Sequence, residues 1–92
     1  MIATQMCTLL ASKKVTVVLR PIKCWGLCDY KKNKISVRET LGDRNRVRTL
    51  VHECAHYLYP ELKEKTILCI ERDVYRSLTK DEYNTFLRFI KK

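Results

Sequence analysis

Residues 43–58 have the sequence DRNRVRTLVHECAHYL, in which apolar side chains recur at spacings of three and four residues. This spacing is typical of an amphipathic helix with one buried face. The residues of that face are Val47, Leu50, Val51, Cys54 and Leu58. Asp43 is a suitable N-cap, and Pro60 disfavours helical backbone before it, so the helix is predicted to begin after Asp43 and end before Pro60.

The residues after this helix are also predicted to be helical. Residues Glu61–Leu78 carry a second apolar stripe at helical spacing. Thr79 and Glu82 then have the spacing of a capping box, which predicts a third helix that begins there. The apolar residues of that third helix are Tyr83, Phe86, Leu87 and Ile90.

The first 40 residues are predicted to form a small sheet. Val15–Leu19 is rich in β-branched residues, which favours a strand. Cys24–Tyr30 and Ile35–Arg38 flank the polar segment Lys31–Lys34, an arrangement typical of a β-hairpin. Met1–Ala11 suits a short helix or a strand, and we prefer the helix. The predicted fold class is α+β, with an antiparallel or mixed three-stranded sheet followed by three helices.

The composition predicts one small domain over residues 1–92. Of the 92 residues 46% are hydrophobic, and a chain of this length buries only about 60–65% of its unfolded surface, so a bound metal would add useful stability. No apolar run approaches the roughly 20 residues of a membrane-spanning helix, and Lys13 and Lys14 follow the apolar N-terminal stretch, the wrong order for a secretory signal. Five cysteines cannot all pair within the chain, which favours a reducing, cytoplasmic location.

The charge balance leaves the partner open. Nineteen basic and ten acidic residues give a net charge of +9, which favours acidic partners. The basic residues concentrate at Lys31–Lys34, Arg44–Arg48 and Lys91–Lys92. These clusters are compatible with nucleic-acid binding through a basic surface, but we prefer a solvated positive surface.

The first predicted helix contains an HExxH motif, His52-Glu53-Cys54-Ala55-His56, which includes both histidines of the chain. Two histidines four residues apart share one helix face and are close enough to bind one zinc ion. On a helical wheel they lie about 160–180° from the apolar face near Cys54, so they are predicted to face away from the core. The carboxylate of Glu53 is then placed to accept a proton from a zinc-activated water as this water attacks a carbonyl.

The third zinc ligand is not fixed by the motif. A catalytic zinc usually has three protein ligands, and without a third histidine a carboxylate or a cysteine must complete the set. In a tight antiparallel hairpin of the two helices, Glu64 lies beside His56, and Glu71 lies about 10 Å further along, near Arg48 or Thr49. We prefer Glu64 as the ligand and Glu71 as part of a structural ion pair, whereas a longer turn would favour Glu71.

The segment Thr49–His56, followed by Pro60 and Leu62–Glu64, resembles the minimal zincin metallopeptidases, small bacterial and phage proteins close to the SprT-like and ImmA/IrrE-like families. The resemblance covers roughly residues 35–78, and only HExxH within it is highly specific. It implies one zinc ion bound by the two histidines and a downstream glutamate, the motif glutamate as general base, and a peptide or protein substrate. It also implies a strand that pairs with an extended peptide, matching Ile35–Arg38.

The leading hypothesis is therefore a zinc-dependent peptidase, and the alternative is a non-catalytic, metal-stabilised basic domain that binds nucleic acid or a protein partner. Cys24 and Cys28 are predicted to pack in the core and not to form a second metal site. Cys54 is predicted to face the core. Tyr57 and Tyr59 flank the metal end of the helix, where a hydroxyl can stabilise an oxyanion, but we expect ordinary half-buried tyrosines.

Overall fold

The computed structural model describes residues 2–90, which form a three-stranded sheet and four helices. The elements are α1 (Ile2–Ala11), β1 (Thr16–Arg20), β2 (Gly26–Asp29), β3 (Lys34–Arg38), α2 (Asp43–Leu58), α3 (Glu64–Ser77) and α4 (Lys80–Ile90). The predicted α+β class is confirmed, and the N-terminal segment is helical as preferred. Met1 and the basic residues Lys91 and Lys92 lie outside the described residues. Within residues 2–90, every helix is too short or too polar to cross a membrane.

The sheet is mixed, with the strand order β1-β3-β2. β1 runs parallel to β3, with Val17 opposite Ile35, and β2 runs antiparallel to β3, with Cys28 opposite the same residue. The predicted hairpin is confirmed. Because β1 and β2 occupy both sides of β3, the expectation that Ile35–Arg38 pairs with a bound peptide is wrong. Within residues 2–90, the strand next to α2 that has a backbone partner on one side only is β2.

Helix α2 lies at the centre of the core. Its side chains Val47, Leu50, Val51 and Cys54 are fully buried, as the apolar spacing predicts. They belong to one cluster with Met6 of α1, Ile35 of β3 and Phe86 of α4. Full burial of an aliphatic or aromatic side chain of this size contributes about 1.5–3 kcal/mol, so this face fixes the rotation of α2 about its own axis. The opposite face, with the two histidines, is thereby turned towards α3.

Two helix boundaries differ from their predictions. The N-cap of α2 is Gly42, and Asp43 is the first helical residue, where its charge complements the positive end of the helix dipole. α3 begins at Glu64 and not at Glu61. Residues 59–63 are used for the turn that reverses the chain between the two helices, so Glu61 is not available to the helix.

The predicted capping box at the start of α4 is confirmed. The backbone N–H of Thr79 donates to Oε1 of Glu82 at 2.9 Å, and the backbone N–H of Glu82 donates to Oγ1 of Thr79 at 3.1 Å. The reciprocal bonds satisfy two N–H groups that a helix start leaves without partners. They fix the start of the helix whose Phe86 and Ile90 close the core.

The cysteine predictions are met in part. All five cysteines are free thiols. Cys54 is fully buried, and Cys28 is half-buried against the core. Burial, together with the nearby Glu53, raises the pKa of Cys28 to about 11, so this thiol is protonated at neutral pH. The core prediction for Cys24 is wrong, because β2 begins only at Gly26 and leaves Cys24 exposed in the preceding loop.

Candidate metal centre

The helices α2 and α3 form an antiparallel hairpin whose register brings the histidines and glutamates together. At one level Nε2 of His56 lies 3.1 Å from Oε2 of Glu64. At another level Nη2 of Arg48 lies 2.9 Å from Oε2 of Glu71. The register expected of a tight hairpin is therefore confirmed, since the turn of residues 59–63 is too short to let α3 slide by two helical turns.

His52, His56 and Glu64 converge at one point between the helices. One ligand atom from each of them lies within 4.8 Å of the others. The Nε2 atoms of His52 and His56 face the two oxygens of the Glu64 carboxylate, at 2.6 Å and 3.1 Å. A tetrahedral zinc with bonds of about 2.0–2.1 Å holds its ligand atoms about 3.3 Å apart. The separations in the cluster lie on both sides of this value, so the three residues could hold a metal ion after small side-chain shifts. The side chain of Glu64 is 59% exposed, which leaves the cluster open to water on that side.

Glu71 contacts His52 from the other side, a contact that the sequence analysis missed. Its Oε1 lies 2.8 Å from Nδ1 of His52, and its Oε2 accepts hydrogen bonds from Arg48 at 2.9 and 3.1 Å. An ionised carboxylate can only accept, so we assign the proton to Nδ1. Nε2 of His52 lies 2.6 Å from Oε1 of Glu64, and a metal ion between these two atoms would take the lone pair of Nε2. An outer carboxylate such as that of Glu71 fixes the tautomer and the ring orientation of a metal-binding histidine.

Glu53 lies beside the cluster of His52, His56 and Glu64, and its side chain packs against Gly26, the first residue of β2. Its side chain is nearly buried, and burial raises its pKa to about 7, an effect that His52 opposes and the carboxylates of Glu64 and Glu71 reinforce. A bound cation would lower this pKa again. The group is therefore a carboxyl that changes its protonation state near neutral pH, within the same site as the histidines.

Gly26 provides the space for the side chain of Glu53. A Cβ atom at Gly26 would lie 2.6 Å from Cγ2 of Thr49 and 3.0 Å from both Cγ and Oε2 of Glu53. The 2.6 Å contact is shorter than real Cβ contacts, so a side chain at this position would have to displace Thr49 or Glu53. An isolated glycine in a strand is a known sign of close backbone approach, and this was the available sequence signal.

The substitution Gly26→Ala is expected to destabilise the protein by about 1–3 kcal/mol, because the added methyl group must push Thr49 or Glu53 aside. Urea unfolding measures this loss. Gly42→Ala is the matched control, since a Cβ there meets nothing within 4 Å, and we expect a loss below about 1 kcal/mol from the weaker N-cap. Equal losses in the two variants would argue against the close approach of β2 to Glu53.

The buried carboxyl of Glu53 predicts a specific pH dependence for the metal-free protein. Its pKa rises from 4.5 to about 7 on folding, so its contribution to stability is fully present below pH 4.5 and is lost as the pH rises through 7. Glu53→Gln removes this penalty. We expect the variant to be more stable than the wild type by about 3 kcal/mol at pH 8 and by about 1 kcal/mol at pH 5. Urea unfolding of both metal-free proteins tests this, and a gap that does not change with pH would contradict it.

The tyrosines near the cluster have structural roles. Tyr57 and Tyr59 are half-buried, as predicted. The hydroxyl of Tyr57 donates to Oδ1 of Asn33, and that of Tyr59 donates to a side chain of α1. Tyr30 donates to the backbone carbonyl of His56 at 2.8 Å. These hydrogen bonds attach the β2–β3 turn and α1 to the C-terminal end of α2.

A cluster of arginines lies further along the same hairpin. Arg48, Arg72 and Arg76 surround an open cleft of about 360 Å³ together with Tyr75. The guanidinium of Arg48 lies over the ring of Tyr75, 5.4 Å from its centre. Arg48 belongs to a basic cluster that is visible in the sequence, whereas the proximity of the two arginines of α3 depends on the helix register. We refer to this feature as the arginine cleft.

Comparison with protein-family models, curated proteins and solved structures finds no match for this chain. The resemblance to the minimal zincins therefore stays a prediction. A function for the chain has to be argued from the side chains that the fold brings together.

Proposed function

We propose that the chain is a zinc-dependent hydrolase of the zincin type that cleaves peptide bonds. The observation that carries the proposal is the convergence of His52, His56 and Glu64 beside the buried carboxylate of Glu53. Two imidazoles and one carboxylate form a typical ligand set of a catalytic zinc, in which water takes the fourth position. A structural zinc normally has four protein ligands, and the group found within residues 2–90 has three.

The side chains around the cluster have distinct parts in this proposal. Zinc, when bound, acts as a Lewis acid that lowers the pKa of a water molecule and polarises a carbonyl oxygen. The carboxylate of Glu53 accepts a proton from water and returns it to the leaving amine, which requires a pKa not far from neutral. Glu71 holds His52 in the tautomer whose Nε2 is free to bind the metal. Arg48 holds Glu71 in place.

The free side of β2 offers a place for the substrate backbone. An extended peptide can add to the edge of a sheet through main-chain hydrogen bonds. β2 has β3 on one side only, and its first residue, Gly26, lies against Glu53. A peptide paired with β2 would therefore pass the candidate metal centre. β2 thus takes over the role that the sequence analysis gave to Ile35–Arg38.

A peptide-library assay with the purified, zinc-loaded protein tests the proposal. We expect cleavage of a subset of peptides, a loss of more than about 100-fold when the metal is removed by a chelator, and recovery on addition of one equivalent of zinc. The protein with Glu53→Gln, purified in the same way, controls for contaminating proteases. Failure of zinc-loaded protein to cleave any peptide would overturn the peptidase assignment.

The arginine cleft favours a second candidate function, a non-catalytic basic domain that binds nucleic acid. Arg76 has no ion-pair partner within residues 2–90, and it lines the same open cleft as Tyr75. Binding to phosphates through such residues falls steeply between 50 mM and 200 mM salt. A steep salt dependence that weakens in Arg76→Ala, in a protein without peptidase activity, would favour this function over the first.

A further inference from the structure

A cavity of about 380 Å³ opens next to the candidate metal centre. It is bounded by α2, by α3 and by the residue that precedes β2. Its lining residues are Trp25, Arg48, Thr49, His52, Leu68 and Glu71. The volume falls within the range of about 300–1,000 Å³ that is usual for ligand sites. We refer to it as the Trp25 pocket.

Two opposite elements supply apolar walls to this pocket. Trp25 lies directly before β2, and Leu68 lies on α3 one turn after Glu64. Trp25 and Leu68 are each 50% exposed, so both leave much of their apolar surface open to solvent. Single exposed apolar side chains need no explanation, but two of them around one cavity are typical of a binding surface.

The charged residues of the pocket are already paired with each other. Arg48 and Glu71 form a salt bridge of 2.9 Å, and the second oxygen of Glu71 accepts the hydrogen bond from His52. The pocket wall therefore carries no uncompensated charge from these residues. A charged occupant would give up hydration without meeting an unpaired charge on Arg48 or Glu71, whereas an apolar occupant has no such hydration to lose.

We propose that the Trp25 pocket binds one large apolar side chain, aliphatic or aromatic, of a peptide whose backbone lies along β2. The inference rests on the proposed function, because it assigns substrate specificity to the same site. His52 belongs both to the lining of the pocket and to the metal cluster, so the bound side chain lies close to the bond that is cleaved. The pocket thereby selects the peptides that are cut next to such a residue.

The protein contains a built-in reporter for this test, since Trp25 is its single tryptophan. We would titrate zinc-loaded Glu53→Gln protein, in which hydrolysis should be too slow to consume the peptide during the titration, with peptides that differ at one position as alanine, leucine, phenylalanine or aspartate. At the position that enters the pocket, leucine and phenylalanine should bind at least about tenfold more tightly than alanine, and aspartate no better than alanine. The emission of Trp25 should shift to shorter wavelengths as the apolar side chain displaces water from its ring.

Variants of two neighbouring residues on α3 distinguish binding in the pocket from non-specific apolar binding. Leu68→Gln should remove most of the preference for large apolar residues, and Leu68→Phe should shift the preference towards smaller ones by filling the space. Cys69, the next residue of α3, is also exposed but does not line the pocket, so Cys69→Gln should keep the preference. Both positions are exposed and should tolerate glutamine without unfolding, which circular dichroism checks.

The possible outcomes separate this inference from the proposed function. Selective binding that depends on Leu68, in a protein whose wild type cleaves no peptide, would support the pocket and refute the peptidase. Cleavage whose preference is the same in the wild type and in Leu68→Gln would refute the pocket and support the peptidase. Equal affinity for all peptides of the series, with unchanged Trp25 emission, would also refute the pocket.

Discussion

Replacing Glu53 by glutamine is expected to lower the rate of peptide hydrolysis by about 10³-fold, while zinc content stays at one ion per chain. Glutamine has nearly the same shape as glutamate but cannot accept the proton of the attacking water. Glu53 does not belong to the group of potential ligands, so the metal should remain. Initial rates at matched zinc content give the result directly.

This variant also separates a loss of chemistry from a loss of folding. The burial that raises the pKa of Glu53 makes its charged form costly, so Glu53→Gln is expected to be more stable than the metal-free wild type at pH 8. If Glu53→Gln is more stable than the wild type and still loses activity, the loss of activity comes from the missing carboxylate and not from unfolding. A rate within about tenfold of the wild type would contradict the role of general base.

The second large effect concerns the two glutamates of α3. Glu64→Ala is expected to weaken zinc binding by more than about 100-fold, because it removes a ligand. Glu71→Ala is expected to weaken binding less, by about 10–100-fold, because it removes only the group that orients His52. Competition with a chelator of known affinity measures both constants.

Two further variants control this comparison. Glu61→Ala removes the same charge from the exposed turn before α3 and should leave zinc affinity unchanged. Glu71→Gln keeps an oxygen that can accept from Nδ1 of His52, so it should recover part of the affinity that Glu71→Ala loses. A larger effect at Glu71 than at Glu64 would mean that Glu71 is the ligand and would reverse the assignment.

Local periodicity explains why much of the site was predictable. The apolar residues of α2 determine which face is buried, and the histidines then have to lie on the other face. Pro60 places the chain reversal, and with a short turn the two antiparallel helices bring Glu64 to His56 and Glu71 to Arg48. Each of these steps depends on residues fewer than about 25 positions apart on two adjoining helices.

The remaining features depend on contacts between distant parts of the chain. The central position of β3 results from pairing with β1, which local spacing does not determine. The fit of Gly26 against Glu53 requires the sheet to be docked on α2. The hydrogen bond that Nδ1 of His52 donates to Glu71 was missed, because the helix register pairs Glu71 with Arg48. The side chains of glutamate and histidine are long enough to reach a residue one helical turn away.

The central claim is that His52, His56 and Glu64 bind one zinc ion. Calorimetric titration of the metal-free protein with zinc tests it directly, with the thiols kept reduced and His56→Ala as the comparison. We expect one tight site per wild-type chain and its loss in His56→Ala, with any weak binding by exposed cysteines common to both proteins. Equal stoichiometry and affinity in the two proteins would contradict the claim.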